Sequence, residues 1–305
     1  MGRTLKQLID VYRTDPDSNF LKLQHQVRMK HDGELTRLIE KHGSIQLRNI
    51  RFRTLMVWYR DWLAYGKIAT ARSFVNRLRE LFRFGLSMLE DDECDRLFEA
   101  LGKLQLESSP PRKVQMTADH ARAIRKTARE HFGWVSIAQA QALQFELLLG
   151  QKDVIGEWVP LGEPGESDVV HGDRKWLRGL RWSDIDDKMI LRHRVGAGRR
   201  PIEVDLRTAP MVLEELEEFS VSRPTSGPVI ICDTNGLPWS TAEFRRKWRL
   251  VAKKAGVPDN VTNRDSFPAG MIRGGPDRAK ISQTYTLKRI DYSLRMARRM
   301  SEDTH

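Results

Sequence analysis

The segment Glu107–Lys113, with the sequence ESSPPRK, separates two parts of the chain that differ in character. Two consecutive prolines stiffen the backbone and cannot continue a helix, so this segment is typical of an interdomain linker. A chain of 305 residues is long enough for two domains of ordinary size. The sequence therefore predicts a domain over 1–106, a linker over 107–113 and a second domain over 114–305.

The first part carries only the periodicity of amphipathic helices. In its first helix Leu5, Leu8, Ile9 and Tyr12 fall on one face. The same kind of pattern predicts helices, in chain order, over 4–13, 20–42, 52–65, 69–89 and 91–104. We therefore expect a small, all-helical N-terminal domain.

The second part combines helices with one short stretch of strand periodicity. Thr117 is a helix N-cap, and residues 136–150 are mostly apolar or small, which predicts a largely buried helix. Between Trp176 and Leu206 the period changes to two, with a turn at Gly196–Arg200. We expect strands over 180–185, 189–191 and 202–206. This region is predicted to be a small antiparallel sheet with a basic tip.

Helices resume near residue 209, and Ser240 is predicted to cap a helix that runs to about 255. On this helix Phe244 and Trp248 fall on the inner face, with Val251 and Ala252. Four cations, Arg245, Arg246, Arg249 and Lys253, occupy the other side. Such a face suits a helix lying against phosphates, and an ordinary solvated helix face is the alternative.

The formal net charge of +11 is unevenly distributed along the chain. Residues 1–85 carry a net +9, residues 235–305 a net +8, and the residues between them a net −6. Two basic ends would suit an anionic polymer held between two modules. A solvated surface of uneven composition would give the same numbers.

Several classes of protein have no support in the sequence. No stretch approaches the ~20 apolar residues of a membrane span, and the N-terminus lacks the apolar segment of a signal peptide. Cys94 and Cys232 indicate free thiols in a reducing compartment. The histidines lack metal-ligand spacing, and no phosphate loop or nucleophile elbow is present. We expect a cytoplasmic protein with no membrane partner, no metal and no cofactor.

Three segments resemble the catalytic domain of phage-integrase-type tyrosine recombinases. They are QKDVIGEWVP over 151–160, WLRGLRWSDID over 176–186 and EFRRKWR over 243–249. The resemblance implies a mainly helical fold: a helical, SAM-like core-binding domain and an α+β catalytic-type domain with a small antiparallel sheet. In this family a tyrosine attacks a DNA phosphodiester. Two arginines, a lysine and His or Trp residues stabilise the anionic transition state.

Carried over position by position, the resemblance implies a degenerate catalytic centre. Asp153 matches the acidic position, which places Gly150 where the first arginine is expected. Ala197 lies in the turn that should carry the lysine. Arg264 and Phe267 stand at the histidine and arginine positions of the His-x-x-Arg box.

The nucleophile segment of the family resembles SQTYTLKRID over 282–291. Tyr285 is therefore the implied counterpart of the nucleophile, with Tyr292 as second choice, and the box that normally precedes it is missing. A tyrosine with a pKa near ~10 needs a charge clamp and a general acid to attack phosphate. We therefore expect Tyr285 not to be functional.

The leading interpretation is a recombinase homologue without strand cleavage that binds double-stranded DNA. It would be an accessory or regulatory factor, associated with a bacterial or phage nucleoid. The expected phosphate contacts are Arg72, Arg77, Arg199, Arg200, Arg245, Arg246 and Arg249.

Two alternatives remain open at this point. One is an active recombinase that uses Tyr285 with displaced cations, namely Lys152, Arg199, Arg264 or Arg273. The other is an interaction protein that pairs with an intact recombinase or another partner. A second copy of the chain and an intact recombinase are the protein partners we expect.

Overall fold

A computed structural model of the chain describes residues 2–64, 68–108, 114–196, 198–217 and 224–266. The chain divides into two compact units, Met1–Pro111 and Arg112–His305. Residues 109–113 of the predicted linker lie outside the described residues. Within the described ranges, no helix combines the length and the apolar character that crossing a membrane requires.

The first unit is built from helices around one apolar core. They are α1 (Leu5–Thr14), α2 (His25–His42), α3 (Phe52–Ala64), α4 (Ile68–Leu89) and α5 (Asp92–Gly102). The predicted face of α1 is buried. Asp91 caps α5, since its side chain accepts hydrogen bonds from the backbone N–H groups of Glu93 and Cys94.

Helix α2 begins at His25, so the prediction that it starts near residue 20 was wrong. Upstream, the Asp15 side chain accepts a hydrogen bond from the backbone N–H of Asp17, and the Ser18 hydroxyl accepts one from Phe20. These local side-chain bonds compete with helix formation. They fold the segment into turns that bury Phe20 in the core.

The second unit contains helices α6 (Ala118–Glu130), α7 (Val135–Glu146), α8 (Gln151–Ile155), α9 (Pro210–Leu216) and α10 (Thr241–Lys254). Its strands are β1 (Glu157–Pro160), β2 (Val170–His171), β3 (Arg174–Leu177), β4 (Ile190–Val195) and β5 (Arg200–Asp205). Helix α7 lies in the core, with every residue from Ser136 to Phe145 buried. The predicted buried helix is thus present but ends at Glu146, and Leu148 follows with φ 55°.

The predicted antiparallel hairpin is β4–β5, with Val195 opposite Arg200 at its tip. A second sheet, in the order β1-β3-β2, was not predicted. The expected strand over 180–185 is instead a 3-10 helix at Trp182–Asp184, because the Asp184 carboxylate accepts a hydrogen bond from the Arg181 backbone N–H (2.9 Å).

Polar side chains on α7 anchor the last described segment. Gln144 and Asn263 exchange two buried hydrogen bonds, of 3.0 and 2.9 Å. Gln141 accepts a hydrogen bond from the Trp248 indole (2.8 Å) and donates one to Ser266 (3.1 Å). The 3-10 helix Asn263–Ser266 is therefore fixed against the core of the second unit.

Candidate nucleic-acid interface

The start of α8 and the tip of the β4–β5 hairpin are joined by Asp153. Its Oδ1 accepts a hydrogen bond from the Gly196 backbone N–H at 2.9 Å. A Cβ added at Gly150 would lie only 2.9 Å from Asp153 Oδ2. The Asp153 carboxylate thus fills the space where a side chain at position 150 would begin.

A second carboxylate, Glu157, follows Asp153 closely in sequence and forms ion pairs with two cations. Its side chain is 2% exposed and forms ion pairs of 2.9 Å with Lys152 Nζ and with Arg178 Nη1. Arg178 has φ 72°, a strained conformation for a side chain of this size. Sequence reasoning missed Glu157 and Arg178, because nothing in their spacing reveals that one buried carboxylate holds both cations.

The hairpin tip carries the predicted pair Arg199 and Arg200. Arg199 has φ 48° and donates from Nη1 to the backbone oxygen of Arg194 (2.8 Å). Burial, and then the positive charge of Arg178, lower the pKa of Arg199, while Asp153 opposes this shift. Arg194 and Arg200 are exposed, and neither side chain has a hydrogen-bond or ion-pair partner among the described residues.

The three predicted phosphate contacts on α10 differ in their surroundings. Arg245 is exposed and has no partner within the described ranges. Arg246 is exposed but forms a bidentate pair with Glu243 (3.0 and 2.7 Å). Arg249 donates to the backbone oxygens of Asp259 and Val261 (3.2 and 2.9 Å), so it holds the loop that follows the helix. The inner face of the helix is buried as predicted.

In the first unit, the two predicted phosphate contacts differ. Arg72 is exposed, and within the described part of the chain its side chain makes one long hydrogen bond, to the Glu107 backbone oxygen (3.4 Å). Arg77 is not the surface cation that we predicted. It is 9% exposed and is enclosed by Glu34, Glu80 and His31.

Arg264, which the sequence comparison predicts to stand at the position of the family histidine, is exposed on the 3-10 helix whose other residues are buried. The remaining residues named from the sequence, Ala197, Phe267, Arg273, Tyr285 and Tyr292, lie outside the described residues. Across the described ranges, no group of His, Cys, Asp or Glu side chains is arranged to hold a metal ion. Cys94 and Cys232 are both buried thiols.

The fold is similar to that of several integrases solved with DNA. A lambda integrase dimer bound to a COC' core site matches with a TM-score of 0.63 and 15% identity, over 88% of this chain and 85% of the integrase chain. A lambda integrase tetramer bound to a Holliday junction matches with a TM-score of 0.61 and 15% identity, over 87% and 68%.

The Tn1549 transposon integrase in complex with circular intermediate DNA matches with a TM-score of 0.57 and 13% identity, over 94% of this chain and 95% of that one. No protein-family model and no curated protein matches the sequence. The chain therefore has the integrase fold: mainly helical, with a small antiparallel hairpin in its second unit.

Proposed function

We propose that this protein is a DNA-binding member of the tyrosine recombinase family that has lost strand cleavage and acts as an accessory or regulatory factor in recombination or transcription. One observation carries the proposal: Arg194, Arg200 and Arg245 are exposed, without partners among the described residues, on a unit with the integrase fold. Such guanidinium groups remain available for DNA phosphates.

The start of α8 supports the loss of cleavage. Position 150 has no side chain, and Asp153 occupies the neighbouring space. Lys152 is the nearest cation in sequence. Its ammonium group is a point charge that cannot donate the two parallel hydrogen bonds of an arginine guanidinium, and it is already paired with Glu157. Removing a single donor to a developing anion typically slows an enzyme by ~10²–10³.

An active recombinase is the second candidate, and the cations near Asp153 favour it. Arg178 and Arg199 interact electrostatically with each other, and Arg178 shares Glu157 with Lys152. A suicide DNA substrate would decide between the two. A covalent adduct that is lost in Tyr285→Phe would establish strand cleavage and contradict the proposal that this activity has been lost.

Assembly and location follow as parts of the same proposal. The solved lambda integrases are a dimer and a tetramer on DNA. We infer that this protein likewise meets a second copy or an intact recombinase on the duplex. Binding to chromosomal or phage DNA would place it in the cytoplasm at the nucleoid.

The test is the salt dependence of duplex binding, followed by fluorescence anisotropy. The logarithm of the binding constant should fall linearly with the logarithm of salt concentration, by about 0.9 per phosphate contacted. Arg245→Gln should reduce the magnitude of this slope by ~0.9, which is the contribution of one phosphate contact. Charge reversal at Arg245 and Arg246 together should flatten it further.

The matched control removes a charge pair from the same helix. Arg246 is already neutralised by Glu243 and therefore offers no free charge to a phosphate, unlike Arg245; Glu243→Gln combined with Arg246→Gln should leave the slope at the wild-type value. Salt-independent binding, or no duplex binding at low salt, would contradict DNA binding as the function.

A further inference from the structure

Two arginines lie on the outward face of α3. The opposite face of this helix is buried in the core of the first unit. Residues three, four and seven apart lie on one side of a helix, so the outward stripe consists of Arg53, Val57 and Arg60, all exposed. Neither arginine side chain has an ion pair or a hydrogen bond among the described residues, and Asp61 lies at the edge of the stripe.

The same helix exposes apolar side chains next to these arginines. Val57 is 47% exposed, and Phe52, the first residue of α3, is 40% exposed. A surface that contacts only phosphates gains nothing from exposed apolar side chains. Protein interfaces, in contrast, combine arginine with aromatic and other apolar residues. The α3 face therefore suits a protein partner better than a DNA backbone.

The outward face of α5 carries a stripe of carboxylates. Leu97 and Leu101 are buried on the inner face of this helix. Asp92, Asp95 and Glu99 are exposed on the other side. In the part of the chain that the structure describes, none of these three carboxylates has an ion-pair or hydrogen-bond partner. Carboxylates repel DNA phosphates, so this side of the first unit does not suit a duplex.

Arg96 connects α5 to the segment that precedes α3. Its Nη2 donates to the backbone oxygens of Leu47 (3.1 Å) and Ile50 (2.9 Å). Its charge is balanced by Glu93, whose carboxylate lies 2.6 Å from Nη2. The two helices are therefore held together by a group that adds no net charge, and both stripes belong to one packed unit.

The spacing of the charges is the same on the two helices. Arg53 and Arg60 are seven residues apart, and so are Asp92 and Glu99. At 1.5 Å per residue, each pair spans about 10.5 Å along its helix axis. The cations of one stripe can therefore face the carboxylates of the other in register when the helices come from two molecules.

We propose that the α3 stripe of one copy docks against the α5 stripe of a second copy of this chain. Opposite charges would set the register, and Val57 would be buried between the two helices. Each copy offers both halves of the contact, as a self-complementary interface requires. The contact gives a surface to the self-association included in the proposed function, on which it rests, and it forms without DNA.

The test is sedimentation velocity of the full chain without DNA, over a range of protein concentrations. The wild-type chain should self-associate, and less so at high salt, because exposed charge pairs are screened. Arg53→Glu/Arg60→Glu should weaken self-association at least about tenfold, since two attractions become repulsions. Asp92→Lys/Glu99→Lys should have the same effect.

Mixing the two charge-reversed variants tests the pairing directly. Each variant keeps one native stripe, and the reversed stripes are complementary to each other. An equimolar mixture should therefore recover self-association to within about threefold of wild type, which also shows that both variants are folded. The matched control is Arg122→Glu/Lys126→Glu on α6, which changes the net charge of the chain equally and should leave self-association unchanged.

The possible results separate this interface from DNA binding. A chain that stays monomeric at about 0.1 mM, or variants that associate like wild type, would overturn the interface and leave DNA binding intact. An Arg53→Glu/Arg60→Glu variant that loses duplex affinity but sediments like wild type would assign the α3 face to DNA and overturn the proposal. Self-association that follows the predicted charge pattern, in a chain that binds no duplex, would support the interface and contradict the DNA function.

Discussion

The contact between Gly150 and Asp153 yields a prediction about stability that also tests the lost arginine position. The backbone of Gly150 has φ −68° and ψ 152°, a conformation that alanine adopts readily. The obstacle is steric, because a Cβ would lie 2.9 Å from Asp153 Oδ2. In Gly150→Ala the carboxylate must therefore move and lose its hydrogen bond to Gly196.

The expected magnitude has two parts. Gly150 is the N-cap of α8, where alanine is less favourable than glycine by about 0.5–1 kcal/mol. The lost hydrogen bond involves a charged group and contributes about 1.5–3 kcal/mol. Gly150→Ala should therefore lower the free energy of unfolding by about 2–4 kcal/mol in the wild-type background, but by only about 0.5–1 kcal/mol in Asp153→Ala.

The assay is a double-mutant cycle measured by urea unfolding and followed by tryptophan fluorescence. All tryptophans except Trp58 and Trp62 belong to the Arg112–His305 unit, so the signal reports mainly on the unit that contains the mutations. The cycle should give a coupling of about 1.5–3 kcal/mol. Additive effects, with coupling below about 0.5 kcal/mol, would refute the reasoning.

Three further predictions concern other parts of the two units. Asn263→Ala removes two buried hydrogen bonds and leaves the Gln144 amide without its partner, so urea unfolding should show a loss of about 2–3 kcal/mol. An unchanged midpoint would contradict this. Burial, and then the charge of Arg77, lower the pKa of His31 to about 4. The unfolded state then binds more protons between about pH 6.5 and 4. The free energy of unfolding should therefore decrease by at most ~3 kcal/mol as the pH is lowered across this window. His31→Gln should flatten the dependence, and an equally steep curve in this variant would exclude His31 as its source. Burial, and then Asp91, raise the pKa of the Cys94 thiol to about 12. Mass spectrometry should therefore find Cys94 unmodified by iodoacetamide in the native protein at about pH 8 and modified once it unfolds; rapid native labelling would count against it.

Helix boundaries were predictable where local chemistry determines them. Thr117 caps α6 with its side chain, and Ser240 caps α10 in the same way. The start of α2 was missed because Asp15 and Ser18 form competing turns. The β1-β3-β2 sheet was missed because its strands are at most four residues long. Strands this short carry too little alternation to be recognised.

In the candidate site, too, some features follow from the sequence alone and others depend on the fold. The sequence by itself determined that α10 has a basic face opposite Phe244 and Trp248, because side-chain spacing along a helix sets which residues share a face. Only the tertiary structure decided which cations remain available. Arg77 and Arg249 have partners in the fold, whereas Arg245 does not among the described residues.

The amino-acid sequence thus determined the order of the main helices, the β4–β5 hairpin and the excess of positive charge, all of which follow from local spacing and composition. The tertiary structure decided which charges are already neutralised and which atoms are left open. Asp153 reaches Gly196 across 43 residues of sequence, and Asp184 orients a buried His193 on another element. Contacts of this kind depend on how the chain packs, and no local period records them.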